Sequence, residues 1–230
     1  MACFTMTLQG HYTARRFPGR AMIHLIIRSS GESEETITRE VSTTCNTLRE
    51  ILEALCPREE DGTVKPSAAV SRISASHIPL ASKHATGNGS DRPRVHTAIV
   101  AFHAIFCDFN ELHKFAYKLD AYDNARLSNV SWYLTDATNH EIGAESRKGA
   151  LRDAVMKAKE YAEVIDLKEI EVEPVELKEI EYEPLNSEAF SQRPIYRHSS
   201  GIDLTPKDIV ISCAVEVYFE VACRGSMWYE

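Results

Sequence analysis

The stretch from Val95 to Phe109, VHTAIVAFHAIFCDF, decides how this chain folds. Val95, Ile99, Ala101 and Ile105 fall on one side of a strand, and Ala98, Val100, Phe102, Ala104 and Phe106 on the other, so both faces are apolar. Such a strand needs cover on two sides: helices on one, a partner subunit or second layer on the other. His103 breaks the run far short of the ~20 apolar residues that cross a bilayer, which argues against an integral membrane protein.

Toward the N-terminus, Ala21 to Arg28 reads as a strand with Ala21, Ile23, Leu25 and Ile27 on one face and Met22, His24 and Ile26 on the other. Phe4 to Leu8 reads as another, and the expected turn between them holds Arg15, Arg16, Pro18 and Gly19. Ser33 opens a helix with Glu34 and Glu35 in its first turn, at the positive end of the macrodipole. Ile37, Val41, Cys45, Leu48, Leu52 and Leu55 give it an apolar stripe, and Pro57 stops it. Residues 57–67 form a turn-rich loop, 68–78 a strand, and 80–94 an expected mobile loop carrying Gly87, Asn88 and Gly89.

Toward the C-terminus come a short helix, Asn110 to Leu119, and a strand, Leu127 to Thr135. Thr138 and Glu141 have capping-box spacing, which predicts a helix from there to about Ile165. Its expected buried stripe is Leu151, Val155, Ala158, Ala162 and Ile165. Ala150, Ala154, Ala158 and Ala162 form a ridge without bulk that permits close approach to a sheet. The acidic repeat 167–184, LKEIEVEPVE then LKEIEYEP, reads as two short edge strands guarded by glutamates, Pro174 and Pro184. With the irregular insertion that follows, this segment spans 167–207. Ile209 to Val221 then alternates for thirteen residues, the clearest half-buried strand in the chain.

The net charge is −8, of which −6 comes from residues 166–183. That balance argues against a general nucleic-acid binder, which needs Lys and Arg to displace counterions from phosphates. No nucleotide-binding glycine loop, no Walker sequence and no nucleophile elbow occurs, so the expectation is no catalytic residue, no cofactor and no enzyme activity. His77, His84, His96 and His103 are the best metal candidates, since neutral imidazoles suit zinc or copper. Their irregular spacing favours solvated histidines over a metal site. Glu171 and Glu173 share a strand face, as paired carboxylates in acid–base chemistry would, but nothing apolar nearby would raise a pKa. Cys45, Cys56, Cys107 and Cys213 read as reduced core thiols, while Cys3 and Cys223, near the termini, are the candidates for redox activity. Arg15, Arg16 and Arg20 are placed to meet an acidic partner, with a solvated turn as the simpler reading.

The order of these elements resembles the SIMPL-domain family. The resemblance rests on LQGHYTARRFPGRAMIHLIIRSSGESEETITREVSTTCNTLREILEAL at the front, LSNVSWYLTDATNHEIGAESRKGALRDAVMKAKEYAEVI in the middle and DIVISCAVEVYFEVA at the end. The family includes bacterial periplasmic immunogenic proteins, some assembling into rings, and the animal protein that binds the interleukin-1-receptor-associated kinase. The resemblance implies a single α+β domain over residues 1–230, with two long helices and one short helix packed on an antiparallel sheet. It transfers no active-site residue. No export signal is visible, so the expected location is the cytoplasm. The expected function is non-enzymatic, through protein association, as a homo-oligomer or an adaptor in signalling or stress response, with neither nucleic acid nor membrane as partner. The alternative is a small-ligand or metal-binding protein using the loop histidines.

Overall fold

Each helix begins where a side-chain oxygen is placed to take up an otherwise orphaned amide. In a computed structural model of the chain, which describes residues 2–76, 80–84, 94–164, 170–185 and 204–223, Ser33 Oγ accepts from the Thr36 amide at 3.3 Å and opens α1, Glu34–Ala54. Asp108 accepts from Asn110 and Glu111 and opens α2, Phe109–Leu119. The third cap corrects the expectation: Thr135, not Thr138, accepts from the Thr138 amide at 3.2 Å, and α3 runs Asp136–Val164. Thr135 lies three residues earlier on the extended chain, so its hydroxyl meets the first free amides and Thr138 is absorbed into the first turn.

The chain divides into two compact units. One is built from β2 (Arg20–Gly31), α1, β3 (Val70–Ala75), β4 (Leu80–His84), β5 (Arg94–Phe106), α2 and β6 (Ala125–Tyr133). Its sheet runs β3-β5-β2-β6, antiparallel throughout, and β4 pairs with β5 beyond the end of β3. The segment 80–84, expected to be loop, is therefore strand: β5 is long enough for β3 and β4 to pair along the same edge. The path β2-α1-β3, with β5 between the two strands, and β5-α2-β6, with β2 between, is the split β-α-β arrangement of ferredoxin-like units. Both helices pack on one face. Ile37, Val41, Leu48 and Leu52 of α1 and Leu112, Phe115 and Leu119 of α2 meet Ile23, Leu25, Ile27, Val100, Phe102 and Phe106 in a single core. Residues 57–67 hold the expected turn, with Gly62 at φ 85° and Asp61 Oδ1 accepting from Thr63.

The other unit contains β1 (Ala2–Arg16), α3, β7 (Ile170–Leu185) and β8 (Ile209–Cys223), with β8 central between β1 and β7 and α3 on one face. β1 and β2 thus belong to different sheets, and Arg15 and Arg16 end a strand rather than lying in the expected turn. The two acidic repeats form one strand instead of two; register shifts near Pro174 and between Glu179 and Glu181 absorb the irregularity. The strands are therefore shared between two antiparallel sheets, within the expected α+β class and with the expected two long helices and one short.

The alanine ridge does what its lack of bulk permits. Ala150, Ala154 and Ala158 are buried in one cluster with Cys213, Val215, Val217 and Phe219, and Ile142, Gly143, Ser146 and Ala162 continue the buried stripe. Leu151 and Val155, expected at its centre, are half-buried at its flank, because the ridge that approaches most closely faces the sheet. Ile165 lies outside the described residues.

Candidate functional site

Period-two alternation gives β2 and β5 a second face, opposite the helices, that carries Met22, His24, Ile26, Ile99, Ala101, His103 and Ile105, all half-buried. Among the described residues no helix packs there. This is the second apolar face that the sequence of β5 marked as needing cover. The same register places Arg28 and Arg72, both exposed, and half-buried Arg126 around the apolar centre. No described strand position on this face is Asp or Glu. In a chain of net charge −8, it is an apolar surface with a positive rim.

His24 stands directly opposite His103, their ring centroids 4.4 Å apart and their planes at 84°. Partial burial, and then the neighbouring His103, hold the His24 pKa below the ordinary histidine value. An imidazole with a depressed folded pKa takes up its proton more readily in the unfolded chain. The pair therefore costs nothing well above the ordinary value, and it destabilises the fold as pH falls through that value toward the folded pKa. We expect the urea midpoint to drop between about pH 7.5 and 5.5, and to drop less in His24→Asn. An equal drop in the variant would show that the pair has no such cost.

The four histidines singled out from sequence do not converge where they are described. His96 and His103 lie on opposite faces of β5, about 23 Å apart along the strand. His96 sits on the helix side with Nδ1 3.7 Å from a Glu34 carboxylate oxygen, beyond hydrogen-bond reach. His84 pairs by its backbone with Arg94; its side chain and all of His77 lie outside the described residues. Among the described residues no three His, Cys, Asp or Glu side chains cluster as metal ligands. The contact sequence reasoning missed is His24 with His103. Both stood on predicted strands, but only the register of β2 against β5 brings them together.

The remaining candidates are engaged locally. Arg16 Nη2 donates to Glu145 Oε2 at 2.5 Å, the Tyr12 hydroxyl donates to Glu145 Oε1 at 2.8 Å, and Arg20 donates to the Gly19 carbonyl. Arg15 is exposed on β1. Glu173 is exposed opposite Glu220; the Glu171 side chain lies outside the described residues. Cys45, Cys56 and Cys213 are buried free thiols and Cys107 is half-buried, whereas the side chains of Cys3 and Cys223 lie outside the described residues. Burial pushes the Cys45 and Cys213 thiols up in pKa, which disfavours the reactive thiolate.

Both edges of the three-stranded sheet are protected. On β1, the His11 amide donates to Asp153 Oδ2 at 2.9 Å and Lys157 Nζ donates to the Gln9 carbonyl at 3.0 Å, so α3 occupies backbone groups that an added strand would need. On β7, Pro174, the register shifts and exposed glutamates do the same work. No helix of the described residues is long and apolar enough to cross a membrane.

The architecture is that of an α+β protein built on antiparallel sheets, with a candidate interaction surface on the five-stranded one. The chain belongs to the SIMPL family of proteins of unknown function (DUF541), whose pattern matches residues 6–219. No curated protein matches it.

Proposed function

We propose that this is a non-enzymatic cytoplasmic protein that acts by protein association, through the face of the five-stranded sheet opposite its two helices. The observation that carries the reading is the half-buried apolar centre of that face, Met22, Ile26, Ile99 and Ile105, with no helix on it among the described residues. Its arginine rim selects the partner. Two such faces pressed together would oppose like charges, so the fitting surface is acidic. A second copy offers one in β7, where Glu173, Glu176 and Glu179 are exposed beside Val175, Leu177 and Ile180. An acidic adaptor partner in signalling or stress response, the role the family resemblance suggests, would use the same chemistry.

Light scattering on the untagged chain, together with capture of partners by wild type and Ile105→Glu, tests this. We expect a defined oligomer or a captured partner for wild type. Ile105→Glu should lose either one by at least tenfold while keeping its melting temperature. A wild type that stays monomeric at high concentration and captures nothing, or a variant that associates like wild type, would overturn the reading.

A further inference from the structure

Four side chains stand in one row across four strands of the five-stranded sheet: Ser74 on β3, His103 on β5, His24 on β2 and Asn129 on β6. The two central members are imidazoles on directly paired residues, with centroids 4.4 Å apart. Two imidazoles bound to one ion, with metal–nitrogen bonds of about 2.0–2.1 Å, place their ring centroids roughly 4.5 Å apart at a right angle at the metal and roughly 5 Å apart at the tetrahedral angle. The observed 4.4 Å lies at the short end of that range, so a small opening of the pair admits an ion, and strands rather than a loop hold the two residues. Half-buried Met22 and Ile105 on one side and Ile26 and Ala101 on the other flank the pair on the same face.

We propose that His24 and His103 form a two-imidazole binding site for a borderline divalent transition ion of the zinc and cobalt class. The face carries no carboxylate at its described strand positions, so its donors discriminate against magnesium and calcium, which take oxygen ligands. With no helix on this face among the described residues, water or a partner's donor fills the remaining coordination positions. Asn129, whose amide donates to Ser131 Oγ at 3.3 Å, and Ser74 flank the pair as polar neighbours. Arg28, Arg72 and Arg126 lie on the same face and repel a dication, so the site is weaker than a closed structural zinc site. The proposal does not depend on the association reading, because it is measured on the chain whatever its oligomeric state.

The test is titration of the full-length untagged chain with Co2+, followed by absorption, and with Zn2+, followed by calorimetry. We expect one ion per chain, nitrogen-ligated cobalt bands without sulfur-to-metal charge transfer, and no heat with Mg2+. His24→Gln and His103→Gln should each weaken binding at least tenfold, while His96→Gln binds as wild type. Circular dichroism establishes that the variants are folded, and nitrogen splitting in the electron paramagnetic resonance of Cu2+-loaded wild type counts imidazole ligands without any variant. Absence of binding, a thiolate spectrum, a single nitrogen ligand, or unchanged affinity in either His24→Gln or His103→Gln would overturn the proposal.

Discussion

Replacing Gly10 with alanine should destabilise the protein by about 2 kcal/mol or more, although the same change in an ordinary strand is stabilising. A Cβ built on Gly10 falls on the Ala150 carbonyl oxygen of α3 and within 2.9 Å of the Ala154 backbone nitrogen and Cβ. Ala150 and Ala154 are fully buried, so the helix has no flexible side chain to move aside and must lift off the sheet as a unit. The clash is with backbone, so Ala154→Gly should fail to rescue it. Gly149 is the reciprocal position: an added Cβ there meets the Tyr12 ring, and Gly149→Ala should lose the usual gain of Gly→Ala in a helix. Urea denaturation of the two variants and the double mutant measures all three effects. A Gly10→Ala protein as stable as wild type would mean that α3 sits farther from β1 than described.

The second large effect contrasts the two faces of β5. Phe102 is 1 % exposed, packed among α1, β2 and β5, with the Arg49 guanidinium 5.9 Å from its ring centroid. Truncation to alanine removes a buried ring and leaves a cavity that the surrounding strands and helix cannot close, at an expected cost of about 3–5 kcal/mol. Ile105, three residues on and on the opposite face, is half-buried and belongs to no core cluster. Ile105→Ala is expected to cost about 1 kcal/mol or less. Equal losses at the two positions would mean that the second face is as well covered as the first, and the association surface would lose its basis.

Much of the architecture was legible from local chemistry. The stripe from Ile37 to Leu52 specified α1, Ser33 its start, and the alternation from Ile209 to Val221 a strand that proves central in its sheet. Caps and turns competing over a few residues were less legible. Thr138 with Glu141 satisfied the spacing rule, but Thr135 came first along the chain. Pro174 suggested two strands where a shift of register let one continue. The site was half legible. The second apolar face followed from the two-sided strand, but the histidine candidates came from a loop-centred reading, and only the register of β2 against β5 pairs His24 with His103.

The sequence by itself determined the three helices and most of the strands, though neither β4 nor the full length of β1, and it determined that both faces of β5 are apolar. These properties depend on the periodicity of neighbouring residues, which the chain carries locally. The tertiary structure alone decided that β1 and β2 part into different sheets, that β3 and β4 share one edge, and that His24 stands against His103. Those outcomes depend on strand order and register, which join residues as far apart as β2 and β5. A shift of one residue in that pairing would have sent every one of these side chains to the other face.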